Sequence, residues 1–264
     1  MDEGSQVAIA EAISAIAAQW PENDQAAIAA CLLARLEGDF QRAESFIVPV
    51  LERSPEDIRA VMLWTQLMLD QGVDGPFDLL ATAVSRYPDN QELRLQYARL
   101  LGSEGNYPDA RAQFVALLER DPENAELLST AALLDFELEY FDAALSKFQQ
   151  VIVLGEGLDK AHYYVGRIEM ANDRYPEAIA AFASVGPSRE FRDAKALAAE
   201  LLIDTAFASD IKTFFDEQRR AYPSAAEQLF LLEADSLRDW SGESLKAYDR
   251  GVTAFPQSFS LLYA

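Results

Sequence analysis

The chain has 264 residues, 50% of them hydrophobic and 25% charged, which is the composition of folded material and excludes a disordered chain. Asp and Glu number 44 against 22 Lys and Arg, a formal net charge of −22, and no Lys/Arg run exceeds two residues, which argues against nucleic acid and anionic membrane surfaces as direct partners. The single cysteine, Cys31, excludes an intrachain disulfide, and no apolar run approaches the roughly 18 residues of a membrane span.

Taken in order, the chain opens on Met1-Asp2-Glu3, which is acidic and unlike the basic start of a cleavable signal. Ser5 to Trp20 carries Ile9, Ile13 and Ile16 at helical spacing and then meets Pro21. This reads as a lone second helix, a half-repeat over 5–21. Proline then punctuates the chain. Pro21, Pro55, Pro88 and Pro122 are 34, 33 and 34 residues apart, and Pro223 and Pro256 are 33 apart. Each is followed by a short polar side chain able to cap the next helix: Asn23 or Asp24, Asp57, Asn90, Asn124, Ser224 and Ser258.

Counting from those caps predicts two-helix units at about 24–57, 58–90, 91–124, 125–158, 159–190, 191–224 and 225–257, with a further unit starting at 258–264. Three irregularities stand out. Pro49 falls inside a predicted second helix and should kink it. Gly72-Val73-Asp74-Gly75-Pro76 replaces the usual short turn. Gly186-Pro187 ends the unit 159–190 early, which predicts a short second helix and a local change in the stack. The start and the finish both read as cut ends, so the expectation is a segment of a longer array, with apolar end faces that could drive association.

The middle of the chain writes one pattern three times at a step of 34: Tyr107, Phe141, Tyr175; Ala110, Ala144, Ala178; Phe114, Phe148, Phe182. Upstream, Ala98, Ala132 and Gly166 keep the same step. A fixed period of this size marks a helical repeat array. A small residue in each helix of a pair lets the backbones approach at the crossing, and the aromatics fill the gaps around it. One pair cannot bury its apolar face alone, so pairs must stack. The pattern small-8, Tyr/Phe-17, Ala-20, Phe-24, Pro-32 resembles the tetratricopeptide repeat. The resemblance implies an all-α fold, a right-handed superhelical solenoid of antiparallel helix pairs.

In that family the first helix of each pair lines a concave groove, chiefly through positions 2, 5, 9, 12 and 13. Mapped onto this chain, the candidate partner-binding residues are Arg35, Met62 and Gln66; Glu92, Leu95 and Arg99; Ser129, Leu133, Phe136 and Glu137; and Tyr163, Arg167 and Met170. Arginines and aromatics in a groove are the usual anchors of protein recognition. Position 5 carries Ile28, Met62, Leu95, Ser129 and Tyr163. It therefore lacks the lysine with which chaperone-binding relatives hold a terminal carboxylate.

Nothing in the sequence points to catalysis, a cofactor or a metal. One histidine, His162, and one cysteine cannot build a zinc site. Stacked helices at roughly 8–10 Å spacing would put Cys31 and His162 on the order of 40 Å apart, too far for a dyad. Cys31 occupies a small-residue position and reads as a packed thiol. There is no phosphate loop, and carboxylate pairs such as Glu137/Glu139 read as solvated faces.

Two stretches carry a narrower resemblance: Leu93–Leu128, with Tyr97-Ala98-Arg99-Leu100-Leu101, and Ala161–Ala194, with Tyr163-Tyr164 before Gly166-Arg167-Ile168 and a short Val185-Gly186-Pro187 ending. They are similar to the large tetratricopeptide lipoproteins of Gram-negative outer membranes. Members are anchored by an N-terminal lipidated cysteine and face the periplasm; Cys31, inside a predicted helix, is no counterpart of that cysteine. The best understood type is an adaptor that activates a carboxyl-terminal processing protease and presents peptidoglycan hydrolases to it. The resemblance thus implies a protein-binding adaptor at the periplasmic face of the outer membrane. A structural arm of a pilus or exopolysaccharide assembly machine, or a cytoplasmic scaffold, stays open as the alternative.

Overall fold

A computed structural model describes residues 12–72, 76–205 and 208–262. Every regular element among them is helical, as expected. Residues 5–11 of the half-repeat, 73–75 of the irregular turn and 263–264 lie outside the described residues. The chain divides into two compact units, Met1–Arg120 and Asp121–Ala264.

The first unit holds α1 (12–19), α2 (Asp24–Leu36), α3 (Phe40–Arg53), α4 (Ile58–Asp70), α5 (Pro76–Arg86), α6 (Gln91–Ser103) and α7 (Tyr107–Leu118). The second holds α8 (Ala125–Glu137), α9 (Phe141–Leu154), α10 (Leu158–Ala171), α11 (Tyr175–Ala183), α12 (Phe191–Thr205), α13 (Ala208–Ala221), α14 (Ala226–Ser236), α15 (Ser241–Ala254) and α16 (Phe259–Leu262). Within each unit consecutive helices pack as pairs: α2 on α3, α4 on α5 and α6 on α7; then α8 on α9, α10 on α11, α12 on α13 and α14 on α15. The second helix of a pair packs on the first helix of the next, and first helices touch along the stack, as α2 does α4 and α12 does α14. This is how amphipathic pairs bury faces that none could bury alone.

The predicted caps start most first helices. Asn23 Oδ1 accepts from Ala26 N–H, Asn90 Oδ1 from Leu93 N–H and Asn124 Oδ1 from Leu127 N–H, each at 3.1 Å. Asp57 caps α4, and Ser258 Oγ accepts from Leu261 N–H at 3.1 Å. Such a cap contributes about 1 kcal/mol. Ser224 corrects the expectation. Pro223–Ala225 forms a 3₁₀ turn, so Ser224 sits inside it, and α14 begins at Ala226 with no side-chain cap. Pro49 is inside α3, which continues to Arg53.

The alanines and phenylalanines of the repeated pattern form the core, whereas Tyr107 and Phe141 are half-buried and Tyr175 is exposed. Ala110, Ala144 and Ala178 are fully buried, as are Ala98 and Ala132, and Phe148 and Phe182 are sealed beside them. Gly166 shows why the position must be small. A Cβ there would stand 2.6 Å from the Phe182 ring.

The turn inside each pair repeats as well. Gly38, Gly72, Gly105, Glu139 and Asp173 all carry positive φ, between 57° and 78°. Glycine takes this left-handed conformation freely, whereas Glu139 and Asp173 take it under strain.

Candidate functional site

In the first unit, the groove candidates are engaged with one another and with their own helices. Arg35, near the end of α2, reaches across to α4. Its Nε donates to Asp70 Oδ2 at 2.5 Å and its guanidinium to Gln66 Oε1 at 3.1 Å. Arg35 and Gln66 are thereby brought together as a cross-helix strut. Met62 is half-buried against Val61, Leu80, Val84 and Leu93. Glu92 is exposed on the first turn of α6 and accepts from Gln96 Nε2 at 2.6 Å. Leu95 is half-buried and Arg99 exposed on the same helix.

In the second unit the candidates converge. Phe136 on α8 stands edge-on to Tyr164 on α10, with ring centres 5.1 Å apart. The Arg167 guanidinium lies over the Phe136 ring at 5.1 Å. Tyr164 also stacks flat on buried Phe148 at 5.4 Å and meets Tyr163 edge-on at 5.4 Å. Tyr163 and Met170 lean on the unit's core, Tyr163 toward Phe182. Leu133 is half-buried on α8, one turn before Phe136, with Ser129 half-buried and Glu137 exposed beside it. The structure thus joins Phe136, Tyr163 and Arg167 through Tyr164, a residue that position-counting passes over although it adjoins Tyr163. Burial pushes the Tyr164 phenol above its ordinary pKa.

Other titratable groups serve the scaffold. Cys31 is fully buried, and desolvation raises its thiol to about 12, which leaves it unreactive. His162 is half-buried on α10, and its pKa is lowered by burial, with nearby Lys195 adding to that and Asp159 opposing it. Buried Asp135 accepts from Lys147 Nζ at 2.6 Å, and Glu169 pairs with Arg174. Glu233 is fully buried between Arg219, at 2.8 Å, and Arg250. Burial raises its carboxyl pKa against the pull of the two guanidiniums.

Lys195 on α12 is also fully buried. Its Nζ donates to the carbonyls of Phe182 at 2.9 Å and Ala183 at 2.7 Å, the last residues of short α11. It lies 5.1 Å from the Phe191 ring centre and 4.8 Å from that of Tyr222. A lysine therefore caps the helix that Gly186-Pro187 cuts short.

Among the described residues, hollows of the second unit fall outside the predicted set. One, of about 550 Å³, runs along α9 at Ser146, Gln149, Gln150, Val153 and Leu154, beside Pro122, Glu123 and Leu128. Two more, of about 300 and 310 Å³, lie on α12 and α14, the first also bounded by Tyr248 of α15 and Ser260 of α16, and share Arg192, Leu232 and Asp235. The first-helix register carried forward into units 191–224 and 225–257 reaches Arg192, Ile203 and Ser236 of these linings, but not Asp193, Glu200, Leu232 or Asp235. Among the described residues, no group of His, Cys, Asp and Glu is arranged to hold a metal ion, and no helix is long and apolar enough to cross a membrane.

Residues 77–134 match the family model described as tetratricopeptide repeat. A TPR repeat-containing protein of Pseudomonas aeruginosa is 28% identical over 108 residues, which is 40% of this chain and 18% of that protein. The match thus spans under a fifth of the relative's length. A tetratricopeptide repeat protein from Parabacteroides merdae superposes over 91% of this chain and 96% of its own, with a TM-score of 0.54 and 16% identity. Pseudomonas aeruginosa pilF superposes over 77% of this chain and 93% of its own, with a TM-score of 0.50 and 15% identity. At such identities the structural likeness concerns the fold alone. The matching family model describes a repeat and indicates no catalytic family. The paired helices and the likeness in fold show the architecture of a tetratricopeptide-repeat solenoid, with the family-model match confined to residues 77–134.

Proposed function

We propose that the chain is a non-enzymatic scaffold that binds partner proteins along the first helices of its pairs, and that it acts as a periplasmic adaptor for a carboxyl-terminal processing protease and its cell-wall hydrolase substrates. The tetratricopeptide fold is that of a protein-interaction scaffold. The observation that carries the reading is the Arg167 guanidinium held 5.1 Å over half-buried Phe136. An arginine and an aromatic already ordered by Tyr164 lose little side-chain freedom on binding, which is the character of an interface anchor. The adaptor role and the periplasmic setting rest on the resemblance of Leu93–Leu128 and Ala161–Ala194 to outer-membrane lipoproteins.

The test mixes the purified chain with the carboxyl-terminal processing protease of the same bacterium and follows cleavage of a cell-wall hydrolase. The chain is expected to bind the protease and speed cleavage, and Arg99→Ala with Arg167→Ala to weaken binding on the order of tenfold. No binding to the protease sinks the adaptor role. Binding that the double substitution leaves unaltered shows that the face has been misplaced.

A further inference from the structure

The two adjoining hollows on α12 and α14 form a surface of distinct chemistry. Their floor is apolar: Leu232 is buried, and Ala196, Ile203 and Leu231 line the sides. Their rim is charged. Asp193 and Glu200 rise from α12 and Asp235 from α14, against Arg192 in the lining and Arg238 beside Asp235, so three carboxylates and two guanidiniums leave a net charge of −1. All five are exposed. Asp235 is oriented by its neighbours, accepting from Tyr248 Oη at 3.4 Å and pairing with Arg238 at 3.6 Å. Each hollow lies at the lower end of the volumes that hold a ligand, enough for one large side chain.

An apolar floor under an acidic rim selects a guest with an aliphatic or aromatic side chain next to a cationic one. The long stem of lysine or arginine covers apolar surface while its head stays at the carboxylates. Arg192 lines both hollows and is exposed, so it can donate to polar groups of such a guest. The net charge of −22 reinforces the choice, since it draws basic segments in and repels acidic ones. We infer that the α12–α14 hollows bind a linear peptide segment of a partner protein that carries a lysine or arginine beside a bulky apolar residue. This rests on the scaffold reading above and adds a second, charge-selective site to it.

The test uses fluorescence anisotropy with short labelled peptides that pair a leucine or phenylalanine with arginine, glutamine or glutamate at neighbouring positions. The arginine peptides are expected to bind at least about tenfold more tightly than the glutamate ones, with a preference that shrinks as salt rises. Glu200→Gln with Asp235→Asn replaces exposed carboxylates by isosteres, so the fold is kept, and should abolish the arginine preference while leaving the glutamine peptides unchanged. Equal binding of all charges, or a preference that survives the double substitution, overturns the inference. So does self-association by light scattering that the same substitutions remove, which would give the hollows to a second copy of the chain. If no peptide binds while the protease assay above succeeds, this site falls and the scaffold reading stands; if both fail, both fall.

Discussion

Gly166 on α10 and Phe182 on α11 are in direct contact, with the ring lying where a side chain on residue 166 would go: a Cβ there would be 2.6 Å from two ring carbons and 2.9 Å from a third. Phe182 is fully buried and cannot swing away, because Tyr163 and the α12 core close around it. Gly166→Ala gains about 1 kcal/mol of helix propensity. The overlap outweighs it, since forced overpacking costs about 1–3 kcal/mol and the ring has no free volume to enter. The expected result is a net loss of stability by urea denaturation. Phe182→Leu in the same background should recover part of it, and an unchanged midpoint for Gly166→Ala would show that the stack yields at this crossing.

The left-handed turn residues allow a stabilising change. Glu139 has φ 61° where the corresponding turns at 38, 72 and 105 have glycine. A non-glycine residue there costs about 1–2 kcal/mol, partly offset in the comparison by the greater entropy that glycine loses on folding. Glu139→Gly is therefore expected to raise stability by about 0.5–1 kcal/mol. A lower melting temperature for this variant would mean that the Glu139 side chain contributes more than its backbone strain removes.

Lys195 predicts a pH dependence. Burial lowers its pKa from 10.5 to about 7, against the opposing attraction of Asp159. Between those pH values the unfolded chain holds the proton and the folded chain does not. The Lys195 contribution to stability is thus greatest above 10.5, falls as pH drops toward 7, and changes no further below it. Lys195→Met lacks this titration. The stability difference between the two proteins should therefore shift against the wild type by on the order of 3 kcal/mol across that window. A difference that is flat from pH 10 to 7 would show that the charged form is as well accommodated in the folded chain as in water.

Two ion pairs separate burial from proximity. Glu233 is fully enclosed with Arg219 and Arg250, whereas Arg120 and Asp89 meet at the surface. Glu233→Gln removes the anion between Arg219, which keeps Asp216 at 2.5 Å, and Arg250, whose side chain is 33% exposed, and is expected to cost about 3 kcal/mol. Arg120→Ala should cost under about 1 kcal/mol, because water already screens the pair. Comparable losses in denaturant titrations of the two variants would refute that division.

The legible part of this fold is the part written locally and repeated. A step of 34 in Ala110, Ala144 and Ala178 and in Phe114, Phe148 and Phe182 follows from a single packing problem solved once per pair, so each solution must use the same residue types. Asn23, Asp57, Asn90 and Asn124 announced helix starts for the same reason, because a cap is satisfied within three residues of itself. Ser224 misled because a proline one residue earlier drew it into a 3₁₀ turn.

The candidate site was legible only as a register. Counting along first helices reached Phe136, Tyr163 and Arg167, but the cluster around Phe136 also takes in Tyr164, one turn before Arg167 on α10, and through it Phe148 from α9. The conversion of Arg35 and Gln66 into a strut needs Asp70 across the gap. By itself, the sequence determined the helix pairs, their period and the small and aromatic residues at each crossing, because those obey near-neighbour geometry. Only the tertiary structure decided which charges are buried, that Lys195 closes α11, and where α12 and α14 leave hollows, because each depends on side chains distant in sequence meeting in a dry interior.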